Sequence, residues 1–180
     1  MLTSTCWHHS PIHCDLGSGT TYIITGATLG KIHRLTSAER LDMMCDVVHD
    51  VATGEGWSLH AWAILSNHYH LVTTASEHSL PLNRFVSKVH HLGAKFLNEL
   101  DGTPNRRVWN QYWDTVITYQ RSYLARLHYV HFNPVRHGVC RDAAAYRWCS
   151  ASQFLTTADR GFRRTVLEMP IDAVNVPDDF

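Results

Sequence analysis

The sequence predicts an α+β fold, and the order of its elements is the main evidence. Stretches rich in β-branched and aromatic residues alternate with stretches whose apolar residues recur at helical spacing. The predicted order is strand, helix, strand, strand, helix, strand, helix, and the strands at 57–65 and 68–74 are close enough in sequence to form a hairpin. A length of 180 residues suits one domain with a single sizeable core.

The first strand and the first helix are predicted as scaffold. Residues 21–29 have the β-prone composition of a strand. Thr36 is the predicted N-cap of the helix, since Glu39 follows three residues later as in a capping box. The apolar face of this helix comprises Leu41, Met44, Val47, Val48 and Val51. Gly54 and Gly56 are expected to end it.

A pair of histidines follows a turn predicted at Ser66-Asn67. His68 and His70 stand two residues apart, so on a strand both imidazoles leave the same face. They are then about 6–7 Å apart along the strand, and two neutral imidazoles at that spacing can converge on one divalent metal ion. The pair alone leaves a second interpretation open, which is two ordinary strand histidines.

The second helix is expected to run from Leu80-Pro81 to about Leu100. Its predicted buried face comprises Leu82, Phe85, Val89, Leu92 and Phe96. Arg84 and Lys88 fall on other faces, where they either present positive charge to a polyanion or form an ordinary solvated surface.

An aromatic, β-prone stretch at 106–119 is the last predicted strand. Within it, Arg106 and Arg107 lie beside the aromatic residues Trp109, Tyr112 and Trp113. Cations beside stacking rings are the combination that single-stranded nucleic acid binding requires. Core packing is the alternative for some of these rings, and Trp113 is the one expected to be buried.

The last predicted helix lies in residues 123–139. Leu124, Leu127 and Val130 recur at helical spacing. Pro134 disfavours helical geometry at Asn133, so the helix is predicted to end there, with Gly138 in the following turn. Tyr129 and Asn133 are four apart and share one helical face, which suits either a site or plain packing and capping.

Composition and charge narrow the classes of function. No apolar run approaches the ~18 residues that span a bilayer, and the N-terminus lacks a signal pattern. Five cysteines without a Cys-x-x-Cys pair suggest reduced thiols, so we expect a cytoplasmic protein. The net charge is zero, yet residues 81–147 hold ten Lys/Arg against four Asp/Glu. That segregation is typical of a phosphate-binding face, with an uneven solvated surface as the alternative.

The two ends of the chain carry weaker patterns. Residues 1–19 are predicted to form a flexible leader, in which the cluster Cys6, His8, His9, His13 and Cys14 is either a zinc site or a histidine-rich tail. Residues 156–180 are predicted to be a C-terminal tail, whose arginines either touch a polyanion or are solvated.

Two motifs in this order resemble the REP-associated tyrosine transposases, which are single-tyrosine HUH transposases. The first is His-hydrophobic-His after a Ser/Pro-Asn turn, at Ser66–His70. The second is Tyr-x-x-x-Asn-Pro-Val-Arg-x-Gly, at Tyr129–Gly138. The resemblance covers roughly residues 20–155, including the aromatic-Ser stretch Tyr146–Ser150. It implies a ferredoxin-like or RRM-like domain, with a central antiparallel sheet flanked by helices.

The resemblance also implies a function. The family cleaves and rejoins single-stranded DNA at or near hairpins through a 5′-phosphotyrosyl intermediate, which makes Tyr129 the expected nucleophile. His68, His70 and Asn133 are the expected ligands of Mg²⁺ or Mn²⁺. The expected DNA-binding residues are Arg84, Lys88, Arg106, Arg107, Arg126 and Arg136. Members act as monomers or homodimers, so either state is expected.

Three departures from the family pattern keep other functions open. Ser66 stands where the family usually has Pro, His137 replaces a commonly small residue, and the overall positive charge is low. A domesticated, non-catalytic DNA-binding protein would keep the fold and the basic face. A metal-dependent phosphodiester hydrolase would use His68 and His70 to activate water and leave Tyr129 structural.

Overall fold

The computed structural model of the chain describes residues 18–171 together with 174, 176 and 178. Within that part of the chain the strands form one four-stranded antiparallel sheet in the order β2-β3-β1-β4. The strands are β1 Thr21–Ala27, β2 Trp57–Ile64, β3 His68–Ala75 and β4 Trp113–Ile117. The predictions of an α+β fold, a central antiparallel sheet and a β2–β3 hairpin are confirmed. The Cys/His cluster of the predicted leader lies outside the described residues.

Helices cover both faces of the sheet. One face carries α1 Ala38–Gly54 and α2 Leu82–Leu100, and the other carries α3 Gln120–Arg136, α4 Ala151–Thr157 and α5 Arg160–Leu167. Helix α3 lies across β2 and β3. The predicted domain boundary at residue 155 falls inside α4, and Val166 of α5 is fully buried in the same apolar cluster as α3.

The alternation of side chains along β3 separates two apolar layers. Tyr69 and Leu71 are buried in the layer beneath α1 and α2, whereas Val72 is buried in the layer beneath α3. Since successive strand residues point to opposite faces, His68 and His70 lie on the α3 side. Tyr69 therefore faces away from the two histidines, as its position between them predicts.

The turn between β2 and β3 is held by the segment that follows β1. Ser66 O accepts hydrogen bonds from the backbone N–H groups of Arg34 and Leu35 at 2.9 and 2.8 Å. Asn67 O accepts from Thr28 N–H at 2.8 Å, and Leu65 N–H donates to His68 O at 2.8 Å. These bonds hold both residues of the turn in place, and His68 follows the turn directly as the first residue of β3.

The N-cap of α1 differs from the prediction by one residue. Ser37, not Thr36, has the extended backbone of an N-cap, and its hydroxyl accepts from Arg40 N–H at 3.4 Å. Ser and Thr are comparable caps, so the capping-box spacing to Glu39 was not enough to decide between adjacent hydroxyl residues.

Helix α3 continues past the residue where the sequence predicted its end. Pro134 lies inside the helix, which runs to Arg136 with His137 as its C-cap. Pro134 has no N–H to donate to Val130 O, and the Cys149 thiol lies within donating distance of this carbonyl, at 3.7 Å, and of His131 O, at 3.4 Å. Gly138, at φ 66°, then turns the chain out of the helix, with Val139 N–H bonded to Pro134 O at 2.9 Å.

The aromatic stretch before α3 buries a different ring from the one predicted. Trp109 is 5% exposed and stacks on His90 with ring centroids 4.8 Å apart, while Tyr112 and Trp113 are only half-buried. The Trp109 indole also lies beside Gly93 of α2. A stacking role for Trp109 toward nucleic acid is therefore excluded in this conformation.

Two features of the described residues relate to the predictions made from composition, namely the apolarity of the helices and the state of the cysteines. No described helix combines the length and apolarity that crossing a bilayer requires. The three described cysteines, Cys45, Cys140 and Cys149, are all free thiols.

Candidate active site on strand β3 and helix α3

The two histidines of β3 are buried side by side beneath α3. His68 is 1% exposed and His70 is fully buried, and their ring centroids are 5.1 Å apart in an edge-to-face arrangement. The burial lowers the pKa of His68 to about 3, helped by its neighbours His70 and His137. Burial also lowers the pKa of His70. Both rings are therefore neutral near pH 7, which is the form that binds metal.

Asn67 decides which nitrogen of His68 carries the proton. The Asn67 amide donates through Nδ2 to Lys31 O at 3.1 Å, so its Oδ1 must face the other way, toward His68 Nδ1 at 2.8 Å. Because an amide oxygen only accepts, His68 Nδ1 carries the proton in the neutral ring. Nε2 of His68 is then an acceptor whose lone pair points away from β2 and toward α3.

Thr25 of the neighbouring strand supports His70 in the same manner. Its hydroxyl lies 2.8 Å from His70 Nδ1, and both side chains are buried. A hydroxyl can donate or accept, so Thr25 stabilises either tautomer of His70. With Nδ1 protonated, His70 also presents the Nε2 lone pair toward α3.

Helix α3 brings three side chains over the histidine pair. Tyr129, Asn133 and His137 are spaced by four residues and share one face of the helix. The Tyr129 ring centroid is 5.3 Å from that of His70, and the His137 ring centroid is 4.8 Å from that of His68. The shared face that the sequence predicted for Tyr129 and Asn133 thus meets the predicted histidines, and it extends one turn further than expected.

Asp178, from the C-terminal segment, inserts its carboxylate among these groups. Oδ1 lies 2.6 Å from His137 Nε2, 3.2 Å from His70 Nε2 and 3.8 Å from His68 Nε2. Asn133 Nδ2 donates to the same oxygen at 3.3 Å. Burial acts to raise the pKa of Asp178, but the hydrogen bonds from His137 and His70 and the nearby Tyr129 hydroxyl outweigh it, so that pKa stays well below its usual range.

The Tyr129 hydroxyl is buried beside Asp178 without reaching regular hydrogen-bond geometry to any described residue. Burial, and then the Asp178 carboxylate, raise the pKa of Tyr129 well above its usual range. Arg136 acts in the opposite direction, since its guanidinium carbon lies 5.5 Å from the centre of the Tyr129 ring. Forming a phenolate at Tyr129 therefore requires more positive charge at the site than the side chains alone provide.

The donor atoms fit a divalent cation. Asn133 Oδ1 is buried and accepts no hydrogen bond of regular geometry from the described residues, and the Asn133 side chain adjoins both His68 and Asp178. Donor atoms of His68, His137 and Asp178 lie within 4.8 Å of one another. Several lone pairs facing one small space repel each other, and a cation among them removes that repulsion.

The other predicted DNA-binding residues lie in different environments. Arg84 and Arg107 are exposed, and Lys88 is exposed but ion-paired with Glu55. Arg106 is held by Asp101 and Asn98, and Arg126 by Ser122 of its own helix. Only Arg136 of the predicted set adjoins Tyr129, and its Nε is 3.8 Å from Asp178 Oδ2.

Two other histidines near α3 have structural partners. His131 bonds Ser150 through Nδ1 at 3.0 Å and stacks on Phe154. His60 bonds the Tyr123 hydroxyl at 2.7 Å, which accounts for a second tyrosine of α3.

The sequence did not single out His137 and Asp178 as site residues. Because the helix was predicted to end at Asn133, His137 was not placed on its face. The spacing of four residues between Asn133 and His137 would have indicated that position in a longer helix. Asp178 lies in a segment without helical or strand periodicity, and no local pattern connects it to β3.

Comparison with solved structures agrees with this architecture. A REP-associated tyrosine transposase bound to a REP hairpin is similar to this chain with a TM-score of 0.65 and 19% identity, covering all of this chain and 95% of the other. A candidate transposase from Deinococcus radiodurans R1 is similar with a TM-score of 0.47 and 18% identity, covering 66% and 87%. No protein-family model and no curated protein matches the chain.

The first of these likenesses confirms the predicted resemblance at the level of the fold. The described part of the chain has the α+β fold of that REP-associated tyrosine transposase. At 19% identity the likeness establishes architecture alone, so activity must be argued from the site.

Proposed function

We propose that this protein is a single-stranded DNA transposase or endonuclease that cleaves at or near DNA hairpins and rejoins strands through Tyr129. The observation that supports this most is the juxtaposition of one tyrosine with a buried histidine pair, at a ring-centroid distance of 5.3 Å from Tyr129 to His70. A hairpin substrate is suggested by the similar solved protein, which is bound to a REP hairpin.

The proposed reaction is a transesterification at phosphorus. The phenolic oxygen of Tyr129 attacks the scissile phosphate in line with the 3′ oxygen, a new O–P bond forms, and the P–O3′ bond breaks. The phenol proton leaves Tyr129, and the departing 3′ oxygen takes up a proton to become a hydroxyl. The reverse attack by a 3′-hydroxyl releases Tyr129 and rejoins a strand, so no external energy source is needed.

His68, His70 and Asn133 are the predicted ligands of a divalent metal ion. When bound, such an ion offsets the charge that develops on the phosphoryl oxygens. Asn67 and Thr25 keep the two imidazoles in the required orientation, through contacts of 2.8 Å each. Arg136 lies beside the Tyr129 ring and is partly exposed, so its guanidinium is placed to bind the phosphate next to the nucleophile.

The Tyr129 hydroxyl and the imidazole nitrogens lie beneath Asp178 in this conformation. The Asp178 carboxylate must therefore move aside from the Tyr129 hydroxyl before a phosphodiester reaches the nucleophile. The Arg136 side chain, which contacts the same carboxylate, is a cation that a phosphate could share after that displacement.

The test is a search for a covalent adduct on a denaturing gel. The protein is incubated with Mn²⁺ and a pool of end-labelled, hairpin-containing single-stranded oligonucleotides, beside the variants Tyr129→Phe and Tyr123→Phe. Tyr123 is the matched control because it lies on the same helix but bonds His60. We expect a protease-sensitive adduct with the wild type and Tyr123→Phe, and none with Tyr129→Phe.

Two other results would overturn the proposal. Cleavage that persists in Tyr129→Phe without an adduct would identify a metal-dependent hydrolase. Retained hairpin binding without cleavage in any protein, across a pool that varies both hairpin and flanking sequence, would identify a non-catalytic DNA-binding protein.

A further inference from the structure

We infer that His137 and Asp178 are additional ligands of the metal ion, so that the site contains three imidazoles and one carboxylate beside the Asn133 amide. The inference builds on the proposed function only in assuming that a divalent ion binds here. It adds two residues of this chain and a class of ion.

The continuation of α3 through Pro134 is what brings His137 into the site. A helix that ended at Asn133 would direct the following residues away from β3, whereas one more turn stacks His137 above Asn133. The His137 ring lies 4.8 Å from the His68 ring between centroids, and its Nε2 faces the same carboxylate oxygen as His70 Nε2. His137 therefore approaches the site from the side opposite the β3 pair.

One of the three imidazole distances to Asp178 already has the size expected between donors on one ion, and the other two differ from it by several tenths of an ångström. Ligand atoms held about 2.0–2.2 Å from a common metal ion lie roughly 3–3.4 Å from each other. Asp178 Oδ1 is 3.2 Å from His70 Nε2 and 3.8 Å from His68 Nε2. The 2.6 Å contact with His137 Nε2 is a hydrogen bond, which has to lengthen by several tenths of an ångström when both atoms bind an ion.

The alternative to a metal ligand is that Asp178 only accepts hydrogen bonds from the histidines. The protonation of His68 argues against this alternative. Asn67 makes Nδ1 the protonated nitrogen of His68, so Nε2 has no hydrogen to offer to Asp178. An imidazole lone pair and a carboxylate oxygen 3.8 Å apart in a buried space repel each other. A cation between them turns that repulsion into two attractive contacts.

The donor set also favours one class of ion. Imidazole nitrogen suits the later first-row ions such as Co²⁺, whereas Mg²⁺ prefers oxygen donors and retains several waters, and Mn²⁺ binds nitrogen donors less tightly than Co²⁺ does. Three imidazoles and one carboxylate therefore predict that Co²⁺ binds this protein more tightly than Mn²⁺ and that Mg²⁺ competes poorly.

The experiment measures metal binding directly. Co²⁺ is titrated into metal-free protein and followed by its visible absorption, beside the variants His137→Ala, Asp178→Asn and His68→Ala. His91→Ala, at an exposed histidine of α2, is the matched control. Circular dichroism and the thermal midpoint of each metal-free variant establish that it is folded, which is expected since His137 and Asp178 are partly exposed.

We expect His137→Ala and Asp178→Asn each to weaken Co²⁺ binding about tenfold or more and to alter its spectrum, with His91→Ala unchanged. We also expect a hundredfold excess of Mg²⁺ to leave the bound Co²⁺ spectrum unchanged. Affinity and spectrum that stay at wild-type values in both variants, while His68→Ala abolishes binding, would overturn the inference.

The adduct assay separates this inference from the proposed function. A Tyr129-dependent adduct together with unaltered Co²⁺ binding in His137→Ala and Asp178→Asn would leave the transposase standing and remove the two ligands. Co²⁺ binding that depends on both residues, in a protein that forms no adduct, would keep the metal site and remove the transposase.

Discussion

The Thr25 hydroxyl lies 2.8 Å from Nδ1 of His70, so strand β1 orients an imidazole of strand β3 within the buried centre of the sheet. Thr25→Val keeps the shape of the side chain and removes this bond. We expect the variant to bind Co²⁺ or Mn²⁺ about tenfold more weakly, because the metal-binding nitrogen of His70 loses its support. Isothermal titration of the metal-free protein measures the change.

Thr73→Val is the control for Thr25→Val. Thr73 is a fully buried residue of strand β3, and its hydroxyl donates to Ser58 O at 2.9 Å instead of contacting a histidine. Both variants should lose about 1–3 kcal/mol of unfolding free energy, since each leaves a buried polar group unpaired. Equal metal affinities in the two variants would contradict a role for Thr25 in orienting His70.

Asn67→Ala removes the acceptor that fixes the His68 tautomer, together with the amide donor to Lys31 O. We expect metal affinity to fall about 10–100-fold, as is usual when the hydrogen-bond partner of a metal-binding histidine is lost. Asn67→Asp keeps an acceptor at Nδ1 and should retain more of the affinity than Asn67→Ala. The reverse order would show that Asn67 acts only on the turn.

Local periodicity was sufficient for most of the fold. The two-residue spacing of His68 and His70 placed both rings on one face of β3, and the four-residue spacing of Tyr129 and Asn133 placed them on one face of α3. These patterns depend only on backbone geometry, which neighbouring residues determine. The facing of β3 and α3 followed from the resemblance and not from spacing.

The errors of the sequence prediction have tertiary causes. Proline normally ends a helix, but at Pro134 the Cys149 thiol from a later turn lies within donating distance of the carbonyls of Val130 and His131. Trp109 is buried against His90 and beside Gly93 of α2. Asp178 joins the site through His70, Asn133 and His137, which lie 41 or more residues earlier in the chain. None of these partners is visible in the local sequence of the residue concerned.

Stability should fall as the pH is lowered from 7 to 5 in metal-free protein. Burial lowers the pKa of His90 and of His131 to about 4 each, against a value near 6.5 in the unfolded chain. The contribution of the two neutral histidines to the unfolding free energy is complete above pH 6.5. It is lost as the pH falls toward 4, because in that range only the unfolded state takes up protons. By pH 5 we expect a loss on the order of 1–2 kcal/mol for each.

Urea unfolding at pH 7, 6 and 5 in the presence of a chelator measures this loss. His131→Gln should be less stable at pH 7 and should show a shallower dependence on pH, since one titrating group is gone. His91→Gln, at an exposed position, should keep the wild-type dependence. A pH dependence that is the same in all three proteins would show that the acid sensitivity arises elsewhere.

Gly26→Ala should disturb the histidine strand from the opposite face of the sheet. A Cβ at residue 26 would overlap the ring of Tyr69, which lies between His68 and His70 and is fully buried. We expect a loss of about 1–3 kcal/mol in unfolding free energy and weaker metal binding, because Tyr69 cannot move without moving β3. Gly54→Ala, at the open end of α1, should leave metal binding unchanged and should not lower the unfolding free energy, and equal stability of both variants would refute the packing argument.

Arg106 and Arg107 are adjacent in sequence, but replacing each of them should have a different effect. The Arg106 guanidinium bonds Asn98 at 3.0 Å and Asp101 at 2.6 Å, so it holds the loop after α2. Arg106→Ala should therefore lower the unfolding free energy by about 1.5–3 kcal/mol. Arg107 is exposed, and its Nε donates to Trp109 O at 3.2 Å.

Arg107→Ala should leave stability within about 0.5 kcal/mol of the wild type. If Arg107 contacts a phosphate, the variant should bind hairpin DNA more weakly across all sequences, and the slope of log affinity against log salt should decrease by about one. Fluorescence anisotropy at several salt concentrations measures both, with Arg141→Ala as an exposed control outside the predicted DNA-binding set. An unchanged salt slope in Arg107→Ala would show that Arg107 makes no phosphate contact.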